Sequence, residues 1–255
     1  MGGALLQSWL DRGFPSDYIC VVDPVLPADA YPVTVVNDVT DIPKNFQPHI
    51  IVVAVKPQIA SEVLPSYQDY LRNGATLLSI MAGQTLETLA RETDTNIAIV
   101  RAMPNLPAQI GKGITVAIAN SHVSDTHNAI ITSLLETVGT VHWIDDETHM
   151  DAVTALSGSG PAYVFHFIEC LIQAGESLGL SAELAHNLAY HTVLGSAELA
   201  AHSDLSATEW REQVTSPNGT TQAALEILMA KDNNLYDLLF QAMTAASKRS
   251  KQLSD

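Results

Sequence analysis

HIIVVAVKPQ, residues His49–Gln58, is an unbroken apolar run that stops at a lysine and a proline. A run this short and this rich in β-branched residues suits a strand buried on both faces. Strands of that kind belong to parallel sheets covered by helices. The residues after it, Gln58–Leu71, predict a helix with Ile59, Val63, Leu64, Tyr67 and Leu71 on one side. Similar short runs stand at Ile19–Val22, Val33–Val36, Ala75–Met81, Ile97–Met103, Ile114–Ala119 and Thr140–Ile144. Helical patterns separate several of them. The alternation predicts an α/β domain with a largely parallel sheet over residues 1–146.

From Glu147 the texture changes. Aliphatic periodicity runs through Pro161–Leu178, Ala182–Ala201, Thr221–Met229 and Leu235–Lys251, and no strand pattern survives. Residues 147–255 are expected to form an all-helical domain packed against a second copy of the chain. Ala185, Ala189, Ala197 and Ala200 would allow the close approach of helices.

Composition narrows the function. The chain has 255 residues, 47% hydrophobic and only 16% charged, which suggests a surface partly covered by other subunits. A net charge of −16 with twelve scattered Lys and Arg residues disfavours nucleic acid and anionic membranes as partners. No apolar run is long enough to span a bilayer. Cys20 and Cys170 have no metal or redox spacing and read as buried free thiols in a reducing, cytoplasmic compartment. The histidines form no His-Glu-x-x-His pattern, so no metal site is expected. No Gly-x-Ser-x-Gly elbow follows a strand. Ser157-Gly158-Ser159-Gly160-Pro161 reads as a helix start, with Ser157 or Ser159 capping and Pro161 in the first turn.

Three turns end strands in the same manner: Ala54–Gln58, Ser79–Gly83 and Arg101–Asn105. In open α/β sheets ligands bind beyond the carboxyl ends of strands, so the three turns could line one crevice. The opening, MGGALLQSWLDRG, predicts an amphipathic helix stopped at Gly13. A glycine pair heading such a helix cradles a phosphate when a strand precedes it. VTSPNGTT, Val214–Thr221, is a second anion candidate. Its turn feeds a helix and gathers free amides with the hydroxyls of Ser216, Thr220 and Thr221.

Taken together, MGGALL, AVKPQ, RAMPNLPAQIGKG, DAVTALSGSGPAYVFHFIE and VTSPNGTT resemble the pyrroline-5-carboxylate reductases over essentially the whole chain. The resemblance implies a Rossmann-type domain for NADPH or NADH, followed by a helical domain that interlocks with a second subunit, as a dimer or a ring of dimers. It implies reduction of a cyclic imino acid, L-1-pyrroline-5-carboxylate, to proline. Carried over residue by residue, Ser216, Gly219, Thr220 and Thr221 would hold the substrate carboxylate. Thr221 would also lie near the ring nitrogen as a proton relay. Gly2, Lys56 and the backbone of Ala54, Val55 and Pro57 would meet the cofactor, with Ala82 on the nicotinamide side and Asn37 near the adenine ribose.

Three departures stand out. Family members begin with a strand and Gly-x-Gly-x-Met-Gly, so the first strand and first two glycines are expected to be missing here through a start assigned at an internal methionine. Asp23 stands at the end of the second strand, where an acid accepts from a ribose 2′-OH and repels a 2′-phosphate; NADH is expected to serve at least as well as NADPH. Asn218 replaces the usual glycine, and asparagine tolerates the left-handed conformation. Two rival readings are weaker. A β-hydroxyacid dehydrogenase needs a lysine base in the second domain, and none lies between Lys112 and Lys231. A non-catalytic dimerisation module fits poorly with intact AVKPQ and SPNGTT.

Overall fold

The structure, a computed structural model, describes residues 1–94 and 96–254. It divides into two compact units, residues 1–159 together with the chain from Ala246 onward, and Gly160–Ala245.

In the first unit the helices and strands follow one another as α1 (Gly2–Asp11), β1 (Cys20–Val22), β2 (Thr34–Val36), β3 (Ile50–Val53), α2 (Ala60–Val63), α3 (Gln68–Arg72), β4 (Thr76–Ser79), α4 (Leu86–Glu92), β5 (Ile99–Met103), β6 (Gly113–Ala119), α5 (Asp125–Glu136), β7 (Gly139–Trp143) and α6 (Met150–Val153). The helix α1 closes at a left-handed Gly13, whose amide bonds Leu10 while Phe14 bonds Trp9; this double return satisfies carbonyls the helix leaves open. Thr85 and Ser124 cap α4 and α5 with their hydroxyls.

The strands form two sheets. One is the parallel pair β1–β2; the other runs β3–β4–β5–β6–β7. On the side of β1 away from β2, and on the side of β3 away from β4, no described strand pairs. Period-two alternation sends neighbouring residues to opposite faces. Leu77 joins Ile51, Val53, Ile99, Leu64 and Leu89 on one face, and Leu78 joins Leu5, Val100, Ala117, Ile131 and Leu135 on the other. Both leucines are fully buried, each stabilising the fold by about 1.5–3 kcal/mol. The sheet is therefore covered on both faces, as the apolar run at 49–55 predicts.

Three local expectations change. Strand β6 runs antiparallel to β5, with Val100 opposite Ala119; the other pairings are parallel. The link at residues 104–112 holds only a 3-10 turn, too short for the crossover a parallel neighbour needs. The helix expected over 58–71 is broken into α2 and α3 by a 3-10 segment at Leu64–Tyr67, where Pro65 lacks an amide to donate. The stretch at 157–161 is no fresh start: α6 continues through a π turn, Thr154–Gly158. Ser157 there donates to the Val153 carbonyl rather than capping.

The second unit comprises α7 (Gly160–Ser177), α8 (Ala182–Ala201), α9 (Ala207–Gln213), α10 (Thr220–Leu228) and the leading part of α11 (Leu235–Ser254). Its buried apolar residues are Ile168, Ala185 and Ala189. Large apolar side chains on α7 and α8, among them Phe165, Phe167, Leu188 and Leu194, are exposed in the single chain. Cys170 is exposed and Cys20 half-buried, so neither is the buried thiol expected. Cys170 falls on the uncovered face of α7, within hydrogen-bonding reach of the His166 ring at 3.7 Å. No described helix is long and apolar enough to cross a membrane.

Candidate functional site

Strands β3, β4 and β5 are parallel and in register, with Val53 opposite Ser79 and Ser79 opposite Arg101. Their carboxyl ends therefore open on one edge, and the turns after Val53, Ser79 and Met103 stand side by side there. This is the edge on which such sheets hold ligands. Ala54, Lys56 and Ala82 are exposed on these turns, whereas Val55 and Pro57 are half-buried and Val55 packs on the core.

The helix α1 arrives at the same edge. A Cβ on Gly2 would stand 2.7 Å from the Cβ of Ala54, so only glycine lets this helix start approach the end of β3. No side chain caps α1, and its first turn carries no acid. Its leading amides and the positive end of its dipole are left for an anion. The hydroxyl of Tyr31 lies 3.4 Å from where a Cβ on Gly3 would be, bringing the loop between β1 and β2 to that helix start. Gly2 and Ala54 thus meet at an open helix start of the kind that receives anions.

Asp23 and Asn37 are brought together after β1 and β2. The Asp23 carboxylate accepts from the amides of Val25 and Leu26 at 2.9 and 3.2 Å through Oδ1. Asn37 Nδ2 donates to the carbonyls of Asp23 and Leu26 at 2.8 and 3.1 Å. One carboxylate oxygen, Oδ1, thus shapes the turn.

The Val214–Thr221 turn lies on the second unit. Gly219 is the N-cap of α10 and has no side chain to close it. Asn218 takes the left-handed conformation at φ 57°, as its substitution for glycine requires. A Cβ on Gly219 would stand 2.6 Å from Ser216 Oγ. Ser216, Thr220 and Thr221 thus flank an open helix start. The Asn218 amide is taken by Gln222 Oε1 at 2.8 Å, which holds the turn's shape.

The RAMPN turn braces its surroundings. Asn105 Oδ1 accepts from the Ile114 amide at 2.9 Å, fixing the start of β6. Arg101 is 5% exposed and its Nη1 donates to Glu147 Oε1 at 2.7 Å. That pair escaped the sequence reading. The single signal for it was a cation inside an otherwise apolar strand, which demands a partner. Gly158 in the π turn packs on Met103 at the end of β5, a Cβ there meeting the methionine Cε at 2.5 Å.

Comparison with known proteins matches this arrangement. A family profile described as pyrroline-5-carboxylate reductase dimerisation covers residues 147–253. The pyrroline-5-carboxylate reductase of Pseudomonas aeruginosa is 41% identical over 206 residues, spanning 81% of this chain and 75% of the relative. The chain belongs to the pyrroline-5-carboxylate reductase family. The reductase of Haemophilus influenzae is 32% identical over 256 residues, 99% of this chain and 94% of that one. Among solved structures, the Coxiella burnetii reductase superposes with a TM-score of 0.91 at 33% identity, over 100% of this chain and 95% of the other. The Plasmodium falciparum reductase, solved with NADP bound, gives 0.87 at 32% identity, over 100% and 95%. As in the pyrroline-5-carboxylate reductases, a parallel-sheet α/β domain is followed by a helical dimerisation domain.

Proposed function

We propose that the chain reduces L-1-pyrroline-5-carboxylate to L-proline with NADH or NADPH, as the last step of proline biosynthesis. Residues 1–146 serve as the dinucleotide domain and 147–255 as the dimerisation and substrate domain. The observation that carries this reading is the open N-terminus of α10, where uncapped amides stand between Ser216, Thr220 and Thr221. A small carboxylate fits such a place, and a bulkier cap at 219 would fill it.

When bound, a reduced nicotinamide would supply the hydride that C5 of the imine takes up. A protonated imine is already an electrophile, so this chain's residues have positioning to do rather than strong acid chemistry. Ser216, Gly219 and Thr220 hold the carboxylate. The Thr221 hydroxyl stands at the ring nitrogen as its proton relay, and the imine's proton stays on that nitrogen as the N–H of the secondary amine product. On the α/β unit, the α1 amides from Gly2 would receive the cofactor's pyrophosphate against Ala54, and Lys56 would add a cation beside it. The backbone of Val55 and Pro57 would shape that contact, Ala82 would border the nicotinamide, and Asp23 with Asn37 would meet the adenine ribose.

The exposed apolar faces of α7 and α8 support assembly as a dimer or a ring of dimers. Both cysteines are free, which supports a reducing, cytoplasmic setting. The test is oxidation of NADH or NADPH in the presence of the imine, compared between the wild type and Thr221→Ala. Turnover in the wild type with a loss of about tenfold or more in the variant is expected for one lost hydrogen bond to a charged ring nitrogen. No imine-dependent oxidation by the wild type would overturn the reading.

A further inference from the structure

We infer that Glu147 is the positioning residue for the turn at Ile80–Thr85, on whose tip Ala82 would meet the nicotinamide; the inference rests on the dinucleotide-dependent reading above. Glu147 belongs to a short 3-10 turn, Glu147–His149, that follows β7. A single carboxylate oxygen, Oε1, accepts two hydrogen bonds: 2.7 Å from Arg101 Nη1 and 2.9 Å from the Leu86 amide. The Leu86 amide is the first of α4 and has no partner within that helix. Arg101 comes from β5, in register with Ser79 at the end of β4. The carboxylate therefore ties the far end of the 80–85 turn to the neighbouring strand.

The same turn is fixed at its other points. Ser79 Oγ accepts from the Met81 amide at 3.3 Å. Gly83 is left-handed at φ +73°, and a Cβ there would lie 3.0 Å from the Leu253 Cβ and 3.2 Å from the Leu253 carbonyl oxygen. Thr85 caps α4 by accepting from the Thr88 amide at 3.0 Å. Ala82 alone is presented outward between these anchors. Of the anchors, Glu147 is the one held by charge. Its partner Arg101 is 5% exposed and Glu147 26%, so the bond is sheltered from water and charge-assisted. A hydride donor needs its ring held in one pose, and a turn pinned at both ends provides the rest for it.

The test compares NADH with ADP-ribose, which carries the adenosine half without the nicotinamide. Affinities are measured by calorimetry for wild type, Glu147→Ala and Glu147→Gln, with melting curves and imine kinetics alongside. The alanine variant is expected to bind NADH about tenfold more weakly, the scale of one lost charge-assisted hydrogen bond. Its ADP-ribose affinity should stay within about twofold of wild type, and kcat should fall more than KM for the imine rises. Glutamine keeps an acceptor oxygen and should recover part of the loss. It also carries the test if the alanine variant does not fold. Equal weakening of both ligands, or no weakening of either, would overturn the inference while leaving the reductase reading intact. A wild-type protein that binds neither ligand would overturn both.

Discussion

Gly2 and Ala54 touch across the carboxyl edge of the sheet so closely that a Cβ on Gly2 would sit 2.7 Å from the Cβ of Ala54. The contact joins the start of α1 to the end of β3, and both residues were candidates for the cofactor site on sequence grounds. Replacing Gly2 with Ala brings about 1 kcal/mol of helix propensity. Overpacking against the strand end costs about 1–3 kcal/mol and outweighs it. The helix start must shift away from Ala54, so NADH affinity should fall in a fluorescence titration while the melting temperature drops only slightly. A variant with wild-type affinity would show that α1 does not border the cofactor.

Gly219 and Ser216 form the corresponding contact in the helical unit. A Cβ on Gly219 would meet Ser216 Oγ at 2.6 Å and its carbonyl at 3.0 Å. Gly219→Ala should push Ser216 out of the anion turn and weaken the N-cap by about 1 kcal/mol. Steady-state kinetics should show KM for the imine raised by about tenfold or more, with KM for the cofactor little changed. If instead the cofactor KM rises and the imine KM does not, the turn at 216–221 does not bind the substrate.

The α/β frame was legible because strands buried on both faces leave short, continuous, β-branched apolar runs: the run at His49–Val55 became β3, covered on both faces. Both glycine-rich turns were legible for the same reason, since glycine is needed where a backbone or side chain comes close. What was hidden lay in relations across the chain. The direction of β6 depended on the length of the 104–112 link rather than on any residue in the strand. The π turn before α7 was masked by Gly158 and Pro161, which read locally as a helix start. Gly158 is there to admit Met103. The Arg101–Glu147 pair joins residues 46 positions apart, and no local pattern reports it. Exposure of Phe165 and Leu188 follows from viewing one chain of a family built to dimerise.

Asp23 accepts from the amides of Val25 and Leu26 through Oδ1 alone, and in the proposed cofactor site Oδ2 would meet the ribose. Between Arg12 and Lys44 the chain carries no cation to meet a 2′-phosphate. Asp23→Ser removes the negative charge, and its hydroxyl can still accept one of the two amides. The ratio of kcat/KM for NADPH over NADH should rise by about tenfold, the scale of one unfavourable charge near a phosphate in a partly solvated site. An unchanged ratio would place the Asp23 carboxylate away from the ribose.

The turn that carries Glu147 has its own acid sensitivity. Asp146 accepts from the Thr148 hydroxyl at 2.7 Å and the Thr148 amide at 2.9 Å. The hydroxyl bond, and then the amide bond, hold its carboxyl below the ordinary value. A depressed folded value contributes stability that is fully present above the unfolded value, near about 3.9, and is lost as pH falls through the folded one. Thr148→Val removes the hydroxyl bond, so the Asp146 titration followed by NMR should move up toward the ordinary value. An unmoved titration would mean that the hydroxyl is not the cause of the shift.

Leu188 and Leu194 stand 49% and 55% exposed on α8, in a helical unit whose buried apolar residues are few. Large apolar side chains exposed in this number on α7 and α8 are expected to be covered in a stable assembly. Leu188→Asp would place a charge in that covered surface without touching the α/β unit. In size-exclusion chromatography with light scattering, the wild type should run as a dimer or a multiple of one. The variant should shift toward the monomer mass and lose activity, because the helical unit would be left with its apolar face in water. The α/β unit has its own two-faced core, so NADH binding by the variant should persist after assembly is lost. Loss of assembly with full turnover would separate catalysis from dimerisation, and an unchanged mass would place the interface on another face of the unit.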